Sequence, residues 1–162
     1  MPDRPVIVNN TPLVALWTLG RLDLLQALFG EVLIQAAVQS EFLATECLRR
    51  EAALSSAPWI KTVTLAEPRR ALAYIGLDAG EAEALALAEE RGGIVIMDER
   101  QGRRYAHRLR LSLTGTLGVL LLAKERRLLS TVAGAIAELQ SAGLYLSPEL
   151  VSEVLRLAGE GG

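Results

Sequence analysis

The chain has 162 residues, of which 51% are hydrophobic and 22% charged, with a formal net charge of −2. That length suits one domain with a sizeable core, and a mean hydropathy of +0.29 excludes a disordered chain. The acidic balance excludes a globally basic nucleic-acid binder, so any such binding has to come from a local patch.

The longest apolar run, Leu117 to Ala123, is too short to cross a bilayer. The start, Met1-Pro2-Asp3-Arg4, lacks the charged-then-apolar architecture of a signal segment. A single cysteine, Cys47, rules out an internal disulfide. These features suit a reducing cytoplasm and no membrane partner.

In chain order, Pro5 to Val8 reads as a short β-branched strand, ended by Asn9-Asn10. Thr11 is a candidate N-cap, with Pro12 at the first helical position and the helix running to Leu19. Gly20 stops it, and Leu22 to Phe29 forms a second short helix. Val32 to Ile34 is the next strand. A longer helix follows from about Ala36 to Arg50, in which Cys47 reads as buried filler.

Ile60 to Leu65 alternates like an edge strand. Asp78 and Glu81 have the spacing of a capping box, opening a helix that runs to Arg91. Gly93-Ile94-Val95-Ile96-Met97 is a continuous apolar run, the pattern of a strand buried on both faces. It runs into Asp98 and Glu99. A helix to Leu109, a strand at Leu111 to Leu113, and helices at Gly115 to Arg127, Val132 to Ala142 and Pro148 to Ala158 complete the chain.

Strands alternating with helices predict an α/β fold with a mostly parallel sheet of four to five strands, covered on both faces. One domain spans residues 1–158, and Gly159-Glu160-Gly161-Gly162 reads as a frayed tail.

Carboxyl ends of such strands are where open α/β sheets bind ligands. Asn9, Glu41, Glu81, Asp98 and Glu99 all fall at strand ends or on neighbouring helices. Each also has a structural role available: Asn9 in a turn, Glu41 on a solvated face, Glu81 in its capping box, Asp98 as a helix cap. Together they make a crevice of carboxylates that would repel without a cation. Oxygen donors suit Mg²⁺ or Mn²⁺, and one His with one Cys makes a closed zinc site untenable. No G-x-S-x-G, P-loop or dinucleotide fingerprint is present.

The ordered motifs Val8-Asn9-Asn10-Thr11-Pro12-Leu13, Val38-Gln39-Ser40-Glu41, Leu77-Asp78-Ala79-Gly80-Glu81-Ala82-Glu83-Ala84, Ile96-Met97-Asp98-Glu99-Arg100 and Thr114-Gly115-Thr116-Leu117-Gly118 carry a resemblance. Over nearly the whole chain, through about Leu155, the sequence resembles PIN-domain proteins. These are metal-dependent nucleases that include the toxin ribonucleases of toxin–antitoxin pairs.

The resemblance implies a three-layer α/β/α sandwich and an RNA-cleaving site with Mg²⁺ or Mn²⁺. It implies Asn9, Glu41, Glu81 and Asp98 as catalytic and metal-binding residues, with Glu99 as an auxiliary ligand. Thr11, Thr114, Thr116, Arg100 and Arg103 would meet the substrate. The departure is Asn9, where the family pattern usually has Asp: an amide oxygen can coordinate but brings no charge.

Arg100, Arg103, Arg104, Arg108 and Arg110, with His107 among them, crowd into the helix after Asp98. They read either as a grip on phosphates or as an ordinary solvated face. The apolar residues of Leu117 to Leu122 and of Leu150 to Ala158 exceed what one small core needs. They predict a homodimer or a docking site for an antitoxin-like protein. Two functions stay open: a metal-dependent endoribonuclease, or a catalytically impaired PIN-like module that binds nucleic acid or protein.

Overall fold

The structure, a computed structural model, describes residues 4–161. The readings made for Met1-Pro2-Asp3 and for Gly162 lie outside the described residues. Five strands form one all-parallel sheet in the order β3-β2-β1-β4-β5. They are β1 (Val6–Val8), β2 (Val32–Gln35), β3 (Ile60–Val63), β4 (Ile94–Ile96) and β5 (Ser112–Thr114). The helices are α1 (Asn10–Thr18), α2 (Asp23–Phe29), α3 (Ala36–Leu43), α4 (Cys47–Ser55), α5 (Ala79–Arg91), α6 (Arg100–Arg108), α7 (Thr116–Glu125), α8 (Val132–Ser141) and α9 (Pro148–Leu157).

Strand alternation divides the interior in two. Val6, Val8, Ile34 and Ile96 face one cluster, with Leu13 and Leu16 of α1, Leu24 and Leu25 of α2, Leu120 of α7 and Ile136 of α8. Ile7, Leu33, Val95 and Met97 face the other, built on Leu85 and Leu87 of α5 and Ala106 of α6. Helices therefore cover both faces, the expected α/β/α sandwich. This is why the central strands β1 and β4, and β2 up to Ile34, are apolar at every position instead of alternating with polar residues. The leucines of α7 belong to the first cluster, with Leu117 and Leu120 buried and Leu121 and Leu122 partly so.

The order of the strands places the site. From β1 the chain steps outward through β2 to β3, then returns to the other side of β1 to lay down β4 and β5. The reversal lies between β1 and β4. It opens a crevice there at the strands' carboxyl ends.

Some expected elements differ. The first helix starts at Asn10 with Asn9, not Thr11, in the cap position, and no side chain bonds across that cap. Pro12 is then the third helical residue, still within the turn whose N–H groups lack helical partners. The helix expected over Ala36 to Arg50 breaks into α3 and α4 at Glu46, whose φ of 46° is left-handed.

The break has a tertiary cause. Arg50 turns inward, its guanidinium 4.6 Å from the Trp17 ring centroid, and its Nη1 donates to the Phe42 carbonyl at 2.9 Å. That bond satisfies an otherwise open carbonyl near the end of α3. Cys47 begins α4 and is exposed, not buried. A 3₁₀ turn at Pro68–Ala73, not anticipated, leads into α5. The β5 strand starts one residue later than expected, at Ser112.

Glu160, in the stretch expected to fray, is held fast. Its carboxylate accepts from the N–H groups of Val132 and Ala133 at 2.8 and 2.9 Å and from Lys124 Nζ at 2.7 Å. These donors, led by the lysine, pull its pKa down to about 2. A carboxylate depressed in the folded state stabilises above its ordinary pKa of 4.5 and loses that contribution as pH falls toward about 2. Replacing Glu160 by Ala should cost about 1 kcal/mol at neutral pH, the scale of a lost N-terminal cap. In urea denaturation the difference from wild type should vanish as pH falls through that window.

Candidate metal centre and active site

Two strand ends meet at the switch point. Asn9 continues β1, and its N–H donates to the Ile96 carbonyl at 2.9 Å, which sets it at the end of β4, two residues before Asp98 in the chain. Asn9 is only 3% exposed, and its Oδ1 is buried without a hydrogen-bond partner. Gln35 ends β2, is 1% exposed, and its Nε2 is likewise buried and unpartnered.

Both residues stand two positions beyond the registered pair Ile7 and Leu33, with extended backbones. They are therefore neighbours on the α5 side of the sheet. An amide buried without a partner costs about 1–3 kcal/mol, so the crevice carries stored demand for a polar ligand. Gln35 was missed in the sequence. Its only signal was a polar residue closing the apolar Val32-Leu33-Ile34 run.

Asp98 does not cap the helix that follows. Glu99 does, accepting from the Gly102 N–H. Asp98 reaches instead to the start of α7, where Oδ1 accepts the Thr116 N–H at 2.8 Å and Oδ2 accepts the Thr116 hydroxyl. The Thr114 to Gly118 motif makes this possible. A Cβ on Gly115 would overlap Asp98 Oδ1, and one on Gly118 would overlap the Thr114 hydroxyl. Thr116, expected to meet substrate, is buried and has both its donors on Asp98.

The remaining acids gather at the start of α5. The capping box is present: Asp78 Oδ1 accepts the Glu81 N–H at 2.8 Å, and Glu81 Oε1 accepts the Asp78 N–H at 3.0 Å. Glu41 crosses from α3 and occupies the space that a Cβ on Gly80 would fill. Burial raises the Glu41 pKa, with the Asp78 and Glu83 carboxylates adding to it and the Gly80 N–H opposing. Burial also raises that of Glu81, with Asp78, Glu99 and Glu41 as repelling neighbours and the Asp78 N–H opposing. The carboxylates of Asp78, Glu83 and Glu99 thus lie within electrostatic reach of Glu41 or Glu81.

Among the described residues, no three acidic, His or Cys side chains stand close enough to share one ion. The reason is visible in the bonds: Glu81 and Glu99 close helix caps, and Asp98 is drawn to Thr116. The donors nevertheless fit a hard divalent cation. They are all oxygens, one is an orphaned amide carbonyl, and two are carboxylates whose charge is disfavoured by burial and repulsion. The one soft ligand, Cys47, lies at the start of α4. Thr11 is exposed in the first turn of α1. Arg100 and Arg103 lie in the first turns of α6, and Arg103 Nη1 donates to the Met97 carbonyl at 3.2 Å.

Two outcomes follow from this geometry. Thr116→Val removes one donor to a charged carboxylate while keeping shape, and should cost about 1.5–3 kcal/mol in urea denaturation. Glu41→Gln tests the repulsion. A carboxyl whose folded pKa is raised loses stability as pH climbs above the ordinary 4.5. The metal-free variant should therefore be more stable than wild type at pH 7, and the gap should close towards pH 4.5.

The family comparison agrees with the architecture. Residues 5–160 match the family model described as PIN domain. Neither the curated proteins nor the solved structures gave a match. With almost the whole chain matched, and the sheet and crevice in place, the chain belongs to the PIN-domain family.

Proposed function

We propose that this chain is a metal-dependent endoribonuclease that hydrolyses RNA phosphodiester bonds with Mg²⁺ or Mn²⁺. PIN domains are in general nucleases that use divalent metals. The observation that carries the reading for this chain is the unpartnered, buried Asn9 Oδ1 at the β1–β4 switch point. Asn9, Glu41, Glu81 and Asp98 would hold the ion, with Glu99 in support.

A bound divalent ion polarises a phosphoryl oxygen and lowers the pKa of an attacking water. The chain's own residues do the rest. Thr116 fixes the direction of the Asp98 carboxylate. The Glu41 and Glu81 carboxylates, which would hold the ion, would also orient the attacking water. Arg100 and Arg103 supply guanidinium forks for the phosphate. No side chain need be a covalent nucleophile. A narrower form, the toxin of a toxin–antitoxin pair, rests on the resemblance of the motifs.

A second reading, a binding module with an impaired site, is favoured by the neutral Asn9 and by the acids' separate backbone bonds. Calorimetric titration with Mn²⁺ divides the two. Under the nuclease reading wild type binds, Asp98→Ala abolishes binding, and Asn9→Asp tightens it by adding a charge. RNA incubated with Mn²⁺ is then cut by wild type and left intact by Asp98→Ala. A wild type that takes up no ion, with Asn9→Asp creating no affinity, leaves the binding module.

A further inference from the structure

Along α6, Arg100, Arg103, Arg104, His107 and Arg108 follow the i, i+3, i+4, i+7, i+8 spacing of one helix face. They line one open groove of 780 Å³ together with Asp98, Leu113, the α9 cap residue Ser147 and Leu150 of α9. Like charges three and four residues apart destabilise a helix. Other cations of the chain do find partners: Arg21 with Asp23, Arg49 with Glu46, Arg70 with Glu89, Lys124 with Glu160 and Arg156 with Glu153. Among the described residues, none of the four arginines lining the groove has a carboxylate within ion-pairing distance. In a chain with 19 acids to 17 lysines and arginines, four unpaired guanidinium groups along one groove make a site for an external anion.

We propose that this groove is a track for a single nucleic-acid strand, gripped by its phosphates and not read by its bases, leading to Asp98. The choice of a nucleic acid as occupant rests on the nuclease reading; the unpaired charge does not. The face from Arg100 to Arg108 rises about 12 Å, over which a strand in duplex geometry carries three to four phosphates at ~3.4 Å each. Guanidinium forks match phosphate oxygens, and the first turn of α9 adds open N–H groups. No Phe, Tyr or Trp ring lines the groove as a stacking platform, and no Asn or Gln to read a base. The grip is electrostatic.

The test uses the full chain in EDTA, with a fluorescent 12-nucleotide oligo(U) RNA followed by anisotropy at several salt concentrations. Arg104→Ala and Arg108→Ala lie away from the acids on an exposed face where Ala keeps the helix. Each should weaken binding by about three- to fivefold. Each should also lower the slope of log affinity against log salt by about 0.7. Oligo(A) and oligo(dT) should bind within a few-fold of oligo(U), and Mn²⁺ affinity should be unchanged in both variants.

Unaltered RNA binding in both variants overturns the track. So does a marked base preference that these substitutions abolish, or displacement of the RNA by polyglutamate at equal charge, which would mark an acidic protein as the occupant. Salt-dependent binding that the variants weaken, in a wild type that takes up no Mn²⁺, keeps the track and removes the nuclease. Mn²⁺ uptake with variants that bind RNA like wild type does the reverse.

Discussion

The parallel pairing of β1 with β4, through Val6 with Ile94, Ile7 with Val95 and Val8 with Ile96, is the contact on which the rest depends. Strands separated by more than 80 residues of chain are joined there, and the sheet changes direction at that seam. Both strands are three residues long and apolar throughout, so their register is held by burial on two faces. A slip of one residue would turn the side chains of either strand to the wrong layer. The seam therefore sets at once the two cores and the geometry of the crevice.

Around that seam the acids follow one rule. Asp98 is bonded to the Thr116 N–H, Glu99 to that of Gly102 and Glu81 to that of Asp78. Two of these N–H groups lie in the opening turn of a helix and the third at a helix cap, where the backbone has donors to spare and the dipole favours negative charge. Helix starts thus hold carboxylates apart at the edge of one crevice while supplying part of the charge compensation. What they leave uncompensated shows in the raised pKa of Glu41 and Glu81, the two that share the start of α5.

Much of this was legible in the chain. The Ile94-Val95-Ile96 run, the Asp78 and Glu81 box and the helix breaks at Gly30 and Gly92 are local patterns with local causes, and they gave the strand–helix alternation. What was not legible is non-local. Thr116 stands 18 residues from the Asp98 it holds, and nothing near Asp98 announces that partner over a simple cap. Gln35 acquires its meaning only when β2 lies beside β1. The break between α3 and α4 follows from Arg50 docking on Trp17, which a helical period cannot foresee. Glu99 is an auxiliary ligand by the resemblance alone, and the helix cap its carboxylate makes on α6 has its own local cause.

The tie made by Glu160 reaches beyond the last helix. Its carboxylate joins the end of the α9 segment to the first N–H groups of α8 and to Lys124 of α7, while Val154 packs into the same cluster as Leu120 and Ile136. Three successive helices are thereby closed into a ring by one side chain. Opening any one of them strips the others of a cap, an ion pair or an apolar neighbour. Their amides should then exchange with solvent as a single cooperative unit, independent of the fraying that loose chain ends undergo.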